Sequence, residues 1–248
     1  MRVEIDDVEL EYETFGDAGD PAILLIAGGA SSMDRWEPPF CERLAAAGRF
    51  VIRYDHRDTG GSTTYPPGRP GYTGDDLLAD ALALLDHLGI ERAHFAGISM
   101  GAGIIQRIAV DHPERVRSLT LLSSSPADSV ERDLPPMSDA LRALFSEEQP
   151  EPDWTDRDAA IDYLLEGERP YLGARGLDED ALRAVIARAY DRSSNVASAN
   201  NHFIVDGSEM ECTLGEIRAP ALVIHGSADP LFPPPPPGMP APIPVVPE

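Results

Sequence analysis

Two hydrophobic rhythms alternate along the chain. Val3–Ile5 and Val8–Thr14 alternate apolar and polar positions around a turn at Asp6-Asp7, which predicts an N-terminal antiparallel hairpin. Ala22–Ile26 is an unbroken apolar run, the pattern of a strand buried on both faces, and Phe50–Tyr54, His94–Ile98, Leu119–Leu122 and Ala221–Ile224 are similar runs. Helical patterns separate them. Phe40–Ala47 is one, and Met100–Val110, closed by Pro113, is another. Leu77, Leu78, Ala81, Leu84, Leu85 and Leu88 form a stripe at i, i+3, i+4, i+7 spacing. Asp75 and Asp76 put negative charge at that helix's N-terminus, and Gly89 follows its end. Strands alternating with helices predict an α/β fold, a mostly parallel sheet wrapped by helices.

The rhythm changes after Ser125. Helical segments near Met137–Phe145, Asp158–Glu166 and Asp178–Tyr190 are separated by Pro, Gly and charged residues, with no strand signal until strand and helix resume over Leu214–Ile224. The expected organisation is a core of residues 1–125 and 213–231, interrupted by a helical cap insertion over 126–212. Residues 232–248 hold nine prolines in seventeen positions, five of them consecutive at Pro233–Pro237. Proline lacks an amide donor and fixes φ, so this stretch predicts an extended tail rather than a strand or helix.

Charge narrows the partners. The chain carries 43 acidic residues against 20 Lys plus Arg, a net charge of −23, and all twenty basic residues are arginine. Codon bias in a GC-rich genome accounts for the missing lysine, with salt adaptation as the alternative. So acidic a surface repels phosphate backbones and anionic lipid, so neither nucleic acid nor a membrane is expected as partner. No apolar run approaches the roughly 20 residues that span a bilayer, and the N-terminus lacks a signal-peptide pattern. A cytoplasmic protein is expected, with Cys41 and Cys212 as free structural thiols and no metal spacing.

The chemistry centres on Gly97-Ile98-Ser99-Met100-Gly101. A strand runs directly into Ser99 and a helix starts directly after it, the context that pushes a serine Oγ out at the top of a sheet. Glycines at minus two and plus two let strand and helix approach closely. A serine hydrolase needs two amides for an oxyanion. Met100 is expected to supply one, and Gly29, in Ala27-Gly28-Gly29-Ala30, the other. Asp229 follows the strand Ala221–Ile224 and is the expected acid. Trp154, Tyr163, Leu164 and Leu165 in the insertion are candidate substrate contacts.

These segments, with Val51–Ser62 and Pro220–Pro230, resemble the α/β-hydrolase superfamily, more narrowly the aclacinomycin methylesterase and haloperoxidase-like actinobacterial hydrolases. The resemblance covers roughly residues 1–232. It implies Ser99 as nucleophile, Asp229 as acid, no cofactor, and hydrolysis of a small carboxylic ester through an acyl-enzyme. Ala27-Gly28 stands where relatives usually carry His-Gly. It also implies a further strand, a helix and a histidine after the acid, yet the six histidines (His56, His87, His94, His112, His202, His225) all precede Asp229. Four accounts follow: a truncated or frame-shifted enzyme, a surrogate base at His202, His225 or His56, an inactive homologue binding a small apolar ligand, or a base from a partner chain. Impaired activity is expected, as is self-association through Ala221–Ile224 as an exposed sheet edge.

Overall fold

The computed structural model describes residues 1–130, 133–147, 150–172, 176, 178–207 and 213–234. Cys212 and the proline tail beyond residue 234 lie outside them. Seven strands form one sheet: β1 (Arg2–Ile5), β2 (Val8–Phe15), β3 (Ala22–Ile26), β4 (Phe50–Tyr54), β5 (Ala93–Ile98), β6 (Val116–Leu122) and β7 (Ala221–Ile224). Their spatial order is β1-β2-β4-β3-β5-β6-β7. The first two pairings are antiparallel and the other four parallel.

Three helices cover the core: α1 (Pro38–Ala46), α2 (Gly74–His87) and α3 (Met100–Asp111). The α2 stripe buries Leu77, Ala81, Leu84 and Leu85 against the sheet. Its start is fixed by a capping box, in which the Thr73 hydroxyl accepts the Asp76 amide and the Asp76 carboxylate accepts the Thr73 amide. As expected, β4 is buried at all five positions, Arg53 included, because that guanidinium donates to Glu13 and to the Met33 carbonyl. The edge strand β7 departs from that expectation. Leu222 is 56% and Ile224 47% exposed, because among the described residues only β6 pairs with it.

Between β6 and β7 lie α4 (Asp139–Ser146), α5 (Arg157–Glu168) and α6 (Glu179–Arg192), followed by a 3-10 segment over Val196–Phe203. Ile161, Leu165 and Ile186 form a small core of their own between α5 and α6. The helix expected near Leu214 is only a 3-10 turn, Leu214–Glu216. Cys41 is buried, its Sγ donating to the Trp36 carbonyl, and desolvation pushes its thiol up to about 11. No described helix is long and apolar enough to cross a membrane.

The end of α6 and the segment after it are tied to the core by polar contacts, with Val205 packed against the main hydrophobic cluster. The Arg192 guanidinium forks onto both Asp55 oxygens at 2.9 and 3.0 Å and also reaches Asp34 and Glu11. The Ser194 amide donates to the Gly60 carbonyl, Asn201 Nδ2 to Asp58, and the Gly74 amide to the Asp206 carbonyl.

Candidate active site

Parallel strands deliver their C-terminal ends to one edge of the sheet, where α/β proteins build their sites. Adjacent strand ends are in step here. The Ser99 amide donates to the Leu122 carbonyl and the Ser123 amide to the Ile224 carbonyl, both at 3.0 Å. Ser99 joins β5 to α3 with φ 50° and ψ −115°, in the left-handed half of conformational space that a side chain resists. The turn is enforced by contact. A Cβ on Gly97 would stand 2.5 Å from the Gly101 backbone, and one on Gly101 would stand 2.5 Å from the Ile26 and Ala27 carbonyl oxygens. Both approaches are backbone against backbone, so only glycine fits. Among the described residues Ser99 Oγ has no hydrogen-bond partner.

The loop after β3 lies against the elbow. A Cβ on Gly28 would come within 3.5 Å of Ser99 Cβ. Beside it, Gly29 is covered by the Phe203 ring, with Met100 Sδ next nearest. The Gly29 and Met100 amides, the two expected oxyanion donors, carry no hydrogen bond among the described residues. Met100 opens α3, so its amide is also one of the donors that a helix start leaves unpaired.

Two histidines grip this loop. His202 Nδ1 accepts the Ala30 amide at 2.9 Å. That fixes the proton on Nε2, which donates to the Arg57 carbonyl at 2.7 Å. Both nitrogens are engaged, so the expectation of His202 as a surrogate base is corrected. Neither nitrogen is free to take a proton from Ser99. His56 Nε2 donates to the Ala27 carbonyl at 3.3 Å, and its Nδ1 is buried without a partner among the described residues. The rings pack edge to face with centroids 5.6 Å apart. Burial, reinforced by neighbouring His202, pushes His56 down to about 3, and burial also lowers His202. Both rings are therefore neutral at pH 7.

Asp229 lies in the turn that follows β7. Its Oδ1 accepts the Leu231 and Phe232 amides, each at 2.9 Å, and its Oδ2 lies 3.5 Å from His225 Nε2. His225 Nε2 donates to the Phe232 carbonyl at 2.6 Å, leaving Nδ1 without a partner among the described residues.

A cavity of about 110 Å³ opens beside the loop, between Ala30, Ser31 and Ser32 on one side and α5 and α6 on the other. Trp154, Tyr163 and Leu164 line it, with the Arg35–Glu168 ion pair at its wall. Leu165 does not. It is 3% exposed and packs with Ile161 and Ile186, so its expected substrate contact is corrected to a core role. The periodicity of the insertion gave no sign of Phe203, which is 69% exposed although its ring sits on the glycine loop.

Comparison with known proteins identifies the fold and family. Rhodomycin D methylesterase DnrP of Streptomyces peucetius is 34% identical over 248 aligned residues, covering 93% of this chain and 82% of that protein. Rhodomycin D methylesterase DauP of Streptomyces sp. strain C5 is 49% identical over 123 residues, which span 50% of this chain and 41% of the relative. The crystal structure of the enol-lactonase from Burkholderia xenovorans LB400 superposes with a TM-score of 0.66 at 24% identity, covering 92% of this chain and 81% of that one. A family profile described as alpha/beta hydrolase fold matches residues 21–235. A doubly flanked serine at a strand-to-helix elbow, a glycine loop against it and a mostly parallel seven-stranded sheet place this chain in the α/β hydrolase fold family, as a hydrolase of that family.

Proposed function

We propose that the chain is a carboxylic ester hydrolase that works through an acyl-enzyme on Ser99. The observation that carries this reading is the conformation of Ser99 itself. It sits at φ 50° where β5 turns into α3, directly before the Met100 amide in the chain and with Gly28 of the loop after β3 against its Cβ. In this reading Ser99 Oγ attacks the ester carbonyl, and the Gly29 and Met100 amides receive the developing oxyanion. The alkoxide leaves with a proton, and water then hydrolyses the acyl-enzyme to free acid and serine. Asp229 is the orienting acid of the site. His225, with Nδ1 free and Nε2 turned towards Asp229 and Phe232, is the remaining candidate for the base. Trp154, Tyr163 and Leu164 contact the substrate from α5 and the turn before it, and the segment between β6 and β7 caps the site. The rhodomycin D methylesterases suggest a small-molecule ester as substrate.

His225→Ala, which removes the candidate base, is expected to slow turnover on the order of 10⁴- to 10⁶-fold. The test is intact-protein mass after exposure to a fluorophosphonate, with Ser99→Ala as control. A single Ser99-dependent adduct supports the nucleophile, and its loss in His225→Ala would assign the base. A folded chain that takes no adduct overturns the acyl-enzyme reading and leaves a protein that binds its ligand without turning it over.

A further inference from the structure

The 3-10 segment Val196–Phe203 belongs to the stretch between β6 and β7, yet two of its consecutive residues address the loop after β3. His202 accepts the Ala30 amide, and the Phe203 ring covers Gly29. The loop's other end is held by His56, which donates to the Ala27 carbonyl. Ala27 and Ala30 bracket the Gly28-Gly29 pair, so the amide assigned to the oxyanion lies between two imidazole anchors. The Ala30 backbone sits at φ 54°, a conformation that a non-glycine residue adopts only when its surroundings impose it. The bond to His202 Nδ1 is the described contact that holds the Ala30 amide in that conformation. His202 is itself immobilised. Its Nε2–H is committed to the Arg57 carbonyl, its ring meets those of His56 and Tyr72 edge-on, and neighbouring Asn201 is bonded to Asp58 and to the Pro66 carbonyl.

We propose that His202 is a positioning residue for the ester hydrolysis. By accepting the Ala30 amide through unprotonated Nδ1, it fixes the 27–30 loop so that the Gly29 amide points at the oxyanion, and it couples this geometry to the segment between β6 and β7. The proposal rests on the acyl-enzyme reading for its catalytic consequence, but the clamp is a property of the folded chain alone. A donor that points elsewhere contributes nothing to a preorganised oxyanion site, however close it lies.

The two amide analogues of histidine separate this role from simple packing. Asn places its Oδ1 near the position of histidine Nδ1 and can still accept from Ala30. Gln places its terminal nitrogen near Nε2 and keeps the bond to Arg57 but not the one to Ala30. Hydrogen–deuterium exchange of the full chain, followed at the Ala30 amide, is the first readout. Exchange should accelerate in His202→Gln and stay close to wild type in His202→Asn. The second readout is the rate of Ser99 labelling by a fluorophosphonate, whose phosphoryl oxygen occupies the oxyanion position. It should fall on the order of 10²-fold in the Gln variant and recover in the Asn variant. Equal behaviour of the two variants in exchange, whether both protected or both exposed, overturns the clamp. A protected Ala30 amide with an unchanged labelling rate in His202→Gln overturns it as well. Wild-type chain that fails to label at all sinks the acyl-enzyme reading, while the clamp still stands or falls on exchange.

Discussion

At the scale of single residues, the elbow stores conformational strain at the atom that is asked to react. A serine held at φ 50° and ψ −115° pays of order 1–3 kcal/mol that glycine, for which the mirror-image region is open, does not. Ser99→Gly is therefore expected to raise stability by about 1 kcal/mol over Ser99→Ala, read from urea unfolding midpoints. The flanking glycines respond in the opposite direction. Gly101→Ala forces a methyl against two carbonyl oxygens that end β3, and a loss of about 3 kcal/mol is expected from the same measurement. The buried imidazoles give a pH signature. His56 titrates near 3 in the folded chain against about 6.5 when unfolded, so the unfolded chain binds the extra proton in that interval. Stability is then complete above pH 6.5 and falls as pH drops, by up to about 1.4 kcal/mol per unit, with His202 acting in the same direction. Between pH 6.5 and 5, His56→Gln should flatten that slope. An unchanged slope would mean that the ring is not buried as described.

At the scale of elements, the join between α6 and the core centres on the Arg192 guanidinium, with Arg188 adding longer ion pairs to Asp34 and Glu37. Arg192 bridges Glu11, Asp34 and Asp55, of which Asp55 is wholly buried. Arg192→Ala removes the closest cation from buried Asp55 and Asp34, leaving Asp55 only the Met33 and Gly61 amides, and a loss of about 3 kcal/mol is expected, with α6 showing the largest rise in hydrogen exchange. Arg192→Lys should recover only part of it, because an ammonium cannot make the fork onto both Asp55 oxygens. None of these contacts is written in local pattern. Arg192 and Asp55 lie 137 positions apart, and a helix-terminal arginine reads as surface charge. The strands, by contrast, are legible because each is a short alternating or largely apolar run of four to eight residues, and the elbow is legible because its constraint is local: two glycines, a serine and a change of period. The segment Val196–Phe203 has neither the length nor the periodicity of a helix. Its grip on the 27–30 loop, like the occupied nitrogens of His202, appears only when distant parts of the chain are brought together.

At the scale of the whole molecule, a net charge of −23 is set against one apolar margin. Leu222 and Ile224 face outward on β7, the type of edge that recruits another strand. Two copies of this chain repel at low ionic strength, and salt shortens that repulsion to about 3 Å at 1 M. Light scattering should report a larger mass as salt rises, and Ile224→Arg should suppress the increase. A mass that does not change with salt would mean that the margin is not used. The stitching of residues 194–206 onto the core has a consequence for recombination between relatives. The portable unit is not the whole stretch between β6 and β7 but the part from α4 up to the residue before Arg192. A chimera cut there keeps its own contacts to the glycine loop, whereas one cut after Asp206 imports a stranger's grip on it.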